Sequence, residues 1–372
     1  MSIMPLNGEF PRSPRGGIQI ALPQAEGCGF LRRCVDRVTA MATMKDDHMS
    51  KEHSVLLADI GGTNARFALM TRREIGVIDH LKVADYPGVT QAISKFLQRR
   101  VPSATVDVAV LGVAGAVENN RCTIINSGWS IDGAELQRTF GFEAVRLLND
   151  FEAVAWALPE LQPQHLYPLG DQPIAAGGAM LALGPGTGFG AACLFSPGPG
   201  MRFAAATEAG HATLPATSHR EEQVIAFLRN RIGHVSIERV LSGTGLVNLY
   251  EALASIDGAT VPERDAAAIT KAALDGSCDV CNVTVDMFCS WLGSVAGDLA
   301  LTFSARGGVY IAGGIVPRLT DTLSRSSFRK QFESKGRFEP YLRDVPTWVV
   351  IEPDASFAGL RAFFGRQLAN SR

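Results

Sequence analysis

The sequence predicts an α/β protein made of two halves, each opening on a β-hairpin with a glycine-rich turn. Three observations predict it. From Val55 onward, short runs of branched and long aliphatic residues alternate with stretches of helical apolar spacing. Leu56 to Leu69 holds the turn Asp59-Ile60-Gly61-Gly62-Thr63-Asn64 between two apolar flanks, and paired glycines suit a tight hairpin. The same plan returns as Met180 to Leu183, then Gly184-Pro185-Gly186-Thr187-Gly188-Phe189-Gly190, then Ala191 to Phe195. Without a Cβ in the way, glycine N–H groups can come close to a phosphate oxygen. Two such loops in separate halves suggest a duplicated ATPase core with a nucleotide in the cleft between the halves, although either loop alone also fits an ordinary hairpin.

The elements follow in order. Residues 1–50 carry prolines, paired arginines and short polar runs without sustained periodicity. They are expected to form a poorly ordered extension, with translation beginning nearer Met49; an Arg-bearing leader is the alternative. Residues 51–160 are expected to form a small α/β domain. After the first hairpin, Thr90 to Leu97 has helical spacing, and Val106 to Gly115 reads as a buried strand ending in a glycine turn. Val145 to Leu148 is another strand, followed at once by Asn149-Asp150 and a helix from Phe151 to Leu158. Catalytic side chains in open α/β sheets gather at such strand ends. Residues 161–351 are expected to form a large α/β domain. Beyond the second glycine hairpin, Thr207-Glu208-Ala209-Gly210-His211 presents a carboxylate and an imidazole three residues apart. Helices are expected over Glu221 to Arg231, Leu246 to Ala254 and Val283 to Phe303. Gly308 to Ala312 reads as a buried strand ending in Gly313-Gly314, a backbone against which a flat adenine ring can lie. The last helix, Phe357 to Gln367 within 352–372, is expected to fold back and complete the first domain.

The totals exclude several function classes. The chain of 372 residues is 46% hydrophobic and 19% charged, as in a soluble globular protein. Its net charge of −2 comes without a dense Lys/Arg cluster, so neither a nucleic acid nor an anionic membrane is indicated. The apolar runs are too short to span a bilayer. Seven scattered cysteines do not resemble a disulfide framework, and a reducing compartment is the simpler reading.

Asp59–Arg66, Leu148-Asn149-Asp150-Phe151, Gly186-Thr187-Gly188, Glu208–His211, Glu238-Arg239-Val240-Leu241-Ser242-Gly243 and Gly313-Gly314-Ile315-Val316-Pro317 together resemble the bacterial glucokinases of the enterobacterial type. The resemblance runs from about Val55 to the C-terminus. It implies a two-domain ribonuclease H-like (actin-like ATPase) fold with the active site in the interdomain cleft. It also implies ATP- and Mg²⁺-dependent phosphorylation of glucose at its 6-hydroxyl by a cytoplasmic homodimer.

Phosphoryl transfer needs alignment, charge neutralisation and a base near the attacking hydroxyl. Asp150 is the candidate base, worth roughly 10²–10⁴-fold in rate; its structural alternative is a helix cap. By the resemblance Asn149, Glu208, His211 and Glu238 contact the sugar hydroxyls, and Asn126 falls near the same loop. His211 also reads as a loop histidine satisfied by backbone, and Glu238 as a solvated first-turn glutamate. The nucleotide phosphates are assigned to Asp59, Ile60, Gly61, Gly62, Thr63, Asn64, Gly186, Thr187 and Gly188, with Gly313 and Gly314 near adenine and Asp59 orienting Mg²⁺ through water. No Gly-x-x-x-x-Gly-Lys-Ser/Thr sequence is present, so this is not a P-loop enzyme.

The family has Glu-Gly-Gly-His where this chain has Glu208-Ala209-Gly210-His211. If that position requires φ > 0, Ala209 would cost about 1 kcal/mol and shift the loop. No cysteine follows His211 closely and Cys278-Asp279-Val280-Cys281 lacks a second pair, so no metal ligand set is expected. A kinase for another hexose and a catalytically silent sugar-sensing regulator are the competing readings.

Overall fold

Each glycine hairpin seeds one mixed sheet. The computed structural model describes residues 53–101, 105–175, 177–198 and 200–370; the extension expected over 1–50 lies outside the described residues. In the first sheet β1 (Val55–Ile60) pairs antiparallel with β2 (Asn64–Thr71), which also pairs with β3 (Glu74–Ile75) and β4 (Asp79–Lys82). On its other side β1 runs parallel to β5 (Val108–Val113). A small hairpin of β6 (Arg121–Thr123) and β7 (Ser130–Asp132) follows, and β8 (Ala144–Asn149) then joins parallel to β5.

The second sheet starts in sequence with β9 (Leu166–Pro168) at one edge. The antiparallel run β10 (Met180–Pro185), β11 (Phe189–Gly198) and β12 (Met201–Thr207) forms its other side. Next to β10 lie β13 (Val309–Ile311) and β14 (Thr347–Val350), both parallel to it, and β9 closes on β14 antiparallel. Both sheets thus share one order: three antiparallel strands, then two added in parallel beside the first. The duplication expected from the two loops is present in the strand order.

Alternation along the strands sorts side chains into separate cores. Leu56, Ala58 and Ile60 of β1 face the helices Val89–Arg100 and Gly133–Phe140. Val55 and Leu57 face the opposite way, toward the helices Asp150–Ala157 and Ala355–Asn370. Ala182, Ala192 and Leu194 of the second sheet enter that same core from the other side. The outer face of the second sheet, with Leu181, Leu183 and Cys193, packs on the helices His219–Ile232, Gly243–Ile256 and Asp279–Thr302.

The last helix therefore does return to the first sheet, as expected, and it also crosses Asp150–Ala157 at backbone contact. A Cβ on Gly359 would stand 1.7 Å from the Ala153 carbonyl oxygen, so only glycine permits that approach. Two helices start earlier than the sequence reading expects, the first of them because of a cap. The helix expected from Leu246 begins at Gly243, because the Ser242 hydroxyl accepts from the Gly245 N–H at 2.9 Å. The helix expected from Val283 begins at Asp279, with Cys278 as its N-cap residue.

Candidate active site

Strand β8 and the helix that follows it place Asn149 and Asp150. Asn149 is extended (φ −62°, ψ 149°) and its side-chain oxygen accepts from the N–H groups of Phe151 at 3.0 Å and Glu152 at 3.2 Å. Its amide nitrogen donates to the Gly115 carbonyl at 3.2 Å. The cap is therefore Asn149, and the alternative that Asp150 serves as the cap is corrected. One Asp150 oxygen accepts from the Phe151 N–H at 2.9 Å. Burial pushes the Asp150 carboxyl up to about 7, the Asp59 carboxylate adds to the rise, the Phe151 N–H opposes it, and Glu208 contributes a smaller push. Three carboxylates from distant parts of the chain thus share one field.

Asp59, one residue before the end of β1, lies inside a network. One oxygen accepts from Arg66 and, at 2.7 Å, from the Ser356 hydroxyl. Arg66 donates further to the Asp354 carboxylate and the Pro353 carbonyl, each at 3.1 Å, and lies 5.4 Å over the Phe357 ring. The first glycine turn is thereby tied to the start of the last helix. Within the turn the Gly61 N–H donates to the Asn64 carbonyl at 2.9 Å. A Cβ on Gly62 would stand 2.9 Å from that of Asn126, so Asn126 lies directly against this loop. Ile60 turns fully into the core, leaving only its backbone near the turn, while Thr63 and Asn64 are exposed.

The second loop is held from three sides. A Glu238 carboxylate oxygen accepts from the Phe189 N–H at 2.9 Å and would stand 2.4 Å from a Cβ on Gly188. Glu238 is thus no free first-turn glutamate; it secures the loop. The Gly243 N–H donates to the Gly186 carbonyl at 2.9 Å, which brings the N-terminus of the Gly243–Ile256 helix to the loop. A Cβ on Gly190 would meet the Phe151 ring at 1.9 Å, so the residue after Asp150 docks on the strand that leaves the loop. Gly313 has φ +97° and would bring a Cβ to 2.4 Å from the Pro185 carbonyl, placing the 313–314 turn beside β10.

Glu208 and His211 approach at 3.7 Å, both more than half exposed. The Ile237 N–H donates to the Ala212 carbonyl at 2.9 Å, so this loop lies beside the Glu238 segment. Ala209 lies in the short 3₁₀ turn Ala209–His211 and does not have positive φ. The strain considered for it is absent, and the loop accepts alanine there. Its neighbour Gly210 is the constrained one, since a Cβ there would stand 2.3 Å from the Phe189 carbonyl.

The structure thus joins Asp59, Asp150 and Glu208 by charge, Asn126 to the first loop, and Glu238 and Gly313 to the second. Arg66, Ser356, Phe151 and Gly243 support these groups and were not among the residues assigned from sequence. Only the Ser242 cap beside a Gly-Thr-Gly run could have pointed to Gly243.

The sequence pattern of the glucokinase family matches residues 56–367. A glucokinase of Paramagnetospirillum magneticum is 43% identical over 307 residues, 82% of this chain and 96% of that protein. A crystal structure of a glucokinase from an Antarctic psychrotroph superposes with a TM-score of 0.76 at 36% identity, covering 85% of this chain and 99% of that one. A ROK family glucokinase from Streptomyces griseus, in complex with glucose and AMPPNP, shares the fold at 21% identity and a TM-score of 0.59, over 84% and 99% of the two chains. This chain belongs to the glucokinase family.

Proposed function

We propose that the chain transfers the γ-phosphoryl group of ATP to the 6-hydroxyl of D-glucose, giving glucose 6-phosphate and ADP. The observation that carries this reading is Asp150, at the junction of β8 and its helix, a carboxyl brought to about 7 by burial and by Asp59. A general base works best with a pKa near the operating pH. Asp150 accepts the proton of the attacking hydroxyl.

Glu208, His211 and Glu238 hold the sugar hydroxyls, joined by the remaining Asn149 N–H and by Asn126. A sugar with a hydroxyl of the wrong configuration leaves one of these groups unpaired, at about 1–3 kcal/mol each. The backbone of Gly61, Gly62, Thr63 and Asn64 and that of Gly186, Thr187 and Gly188 cradles phosphates from the two hairpins, and Gly313 and Gly314 seat the adenine.

Among the described residues no group of three or more His, Cys, Asp or Glu side chains is placed to hold a metal ion. That donor set fits Mg²⁺ carried in on the nucleotide, because this ion needs only one or two carboxylates besides phosphates and waters. Asp59 would hold it through the carboxylate oxygen that Arg66 and Ser356 leave open. When bound, the ion neutralises charge on the transferring phosphates. The reading includes a cleft between a small domain of residues 51–160, completed by the last helix, and a large domain of residues 161–351. Closing that cleft excludes water that would otherwise hydrolyse ATP. It further includes a homodimer, which light scattering would read as twice the chain mass, and a cytoplasmic location, for which the five free cysteines among the described residues are the support.

The test is ATP-dependent ADP release with glucose, mannose, fructose and N-acetylglucosamine. Turnover with glucose that falls at least about 10²-fold in Asp150→Asn is expected. Turnover with none of the four sugars while glucose still binds would overturn the reading.

A further inference from the structure

Cys278 and Cys281 stand three residues apart at the start of the helix Asp279–Thr302, where Cys278 is the N-cap residue (φ −151°, ψ 112°). The Asn282 N–H donates to the Cys278 carbonyl at 3.0 Å, closing the turn. Side chains at this spacing are neighbours on one helix face. Both thiols are free; Cys278 is partly exposed and Cys281 is fully buried against Tyr250, Ile269 and Ala272. Beside them the Nε of Arg264 is buried and finds no hydrogen-bond acceptor among the described residues. A buried guanidinium N–H without a partner is costly, and an anion next to it removes that cost. Neither cysteine belongs to the site built around Asp150.

We propose that Cys278 and Cys281 are a redox-active dithiol that closes reversibly into a disulfide, with Cys278 as the attacking thiolate and Cys281 as the resolving thiol. The roles follow from exposure, since the outer sulfur meets the oxidant and the inner one can reach only its neighbour. Acidity agrees with them. Burial pushes the Cys278 thiol up, but the Cys281 N–H, the Cys281 thiol, the Arg264 guanidinium and the Val280 N–H together bring it below the ordinary thiol value. The same contacts put the Cys278 sulfur beside the Cys281 thiol in the reduced chain. Burial pushes Cys281 itself up to about 12. A low-pKa cysteine at a helix N-terminus beside an arginine is the reactive kind.

The oxidant is a low-molecular-weight disulfide such as oxidised glutathione. The Cys278 thiolate attacks one of its sulfurs, forming a mixed disulfide and releasing one thiolate. Cys281 gives up its proton and attacks the Cys278 sulfur, forming the Cys278–Cys281 bond and releasing the second thiolate. Two protein thiols are oxidised and one disulfide is reduced to two thiols, so atoms and electrons balance.

The full chain, equilibrated in glutathione buffers from fully reduced to fully oxidised and then alkylated and mapped by mass, tests this. Cys278 and Cys281 should become protected together, with loss of two hydrogens, while Cys122, Cys193 and Cys289 do not follow. In the reduced chain at pH 7 Cys278 should be alkylated at least about tenfold faster than Cys281. Cys281→Ser should retain glutathione on Cys278 that the wild-type chain sheds. The proposal is overturned if both cysteines stay alkylatable in every buffer, or if the mixed disulfide persists equally in wild type and Cys281→Ser.

Discussion

Replacing Asp150 by Asn separates what this carboxyl does for chemistry from what it costs the fold. A carboxyl moved from an ordinary 3.8 to about 7 binds its proton more tightly in the folded chain by about 4 kcal/mol, at 1.36 kcal/mol per factor of ten. The sign follows from linkage. Between about pH 4 and pH 7 the folded chain holds more of this proton than the unfolded chain, so the group's contribution to stability falls as pH rises. Above about pH 7 the whole penalty is present, and below about pH 4 it is absent. Asparagine does not titrate, and its oxygen can keep the bond from the Phe151 N–H. Its NH₂ group costs something in this pocket, but that cost is the same at every pH. The stability of Asp150→Asn relative to wild type should therefore improve by about 2–3 kcal/mol between pH 5 and pH 8. Urea denaturation of the ligand-free chain at the two pH values, with equal slopes for both proteins, reads this directly. A difference that stays constant or shrinks from pH 5 to pH 8 refutes the placement of Asp150 beside Asp59 in a buried setting.

The 208–211 loop gives a paired prediction. Ala209→Gly should leave the KM for glucose within about twofold because Ala209 is unstrained, whereas Gly210→Ala should lose about 1–3 kcal/mol of stability to the clash with Phe189. Thermal melts and glucose kinetics on the two variants check it. Removing Arg66 takes the guanidinium from Asp59 and Asp354 together; Arg66→Ala should cost about 1–3 kcal/mol and raise the KM for ATP more than that for glucose. Glu238→Gln keeps an oxygen for the Phe189 N–H, so its urea midpoint should match wild type while the KM for glucose rises about tenfold. Glu238→Ala should lose stability as well.

What was legible in the sequence was local. Each hairpin declares itself because both strands and the turn between them lie close in sequence, Val55 to Thr71 and Met180 to Gly198, and Asn149-Asp150 is marked by a strand running straight into a helix. The ties that complete the site cross the whole chain. Ser356 reaches Asp59 from 297 positions away, and Arg66 reaches Pro353 across 287. No periodicity in either segment announces such a bond. Glu238 shows the same limit at shorter range: its residue type and first-turn position suggest a solvated side chain, and only the fold brings the Phe189 N–H to it from 49 positions away. Ala209 went the other way, since a doubt about backbone strain could not be resolved without a dihedral angle. The residue under constraint proved to be Gly210, held by close backbone approach at negative φ.

Asn149 and Asp150 divide two tasks that either type could attempt. Both are good helix caps, so capping alone does not choose between them at position 149. Electrostatics does. Asp150 already feels Asp59 and Glu208, and an ionised carboxylate one residue earlier would add a third like charge. That charge would push Asp150 above neutrality, leaving the base protonated where it must accept a proton. A neutral amide caps the helix, anchors the glycine turn through the Gly115 carbonyl, and leaves Asp150 near 7. Asn149→Asp should therefore fold with its cap intact, yet move the acid limb of the kcat/KM profile for glucose upward by about one pH unit. An unmoved limb, with stability unchanged, would mean that charge at position 149 does not reach Asp150 and that the choice of asparagine has another cause.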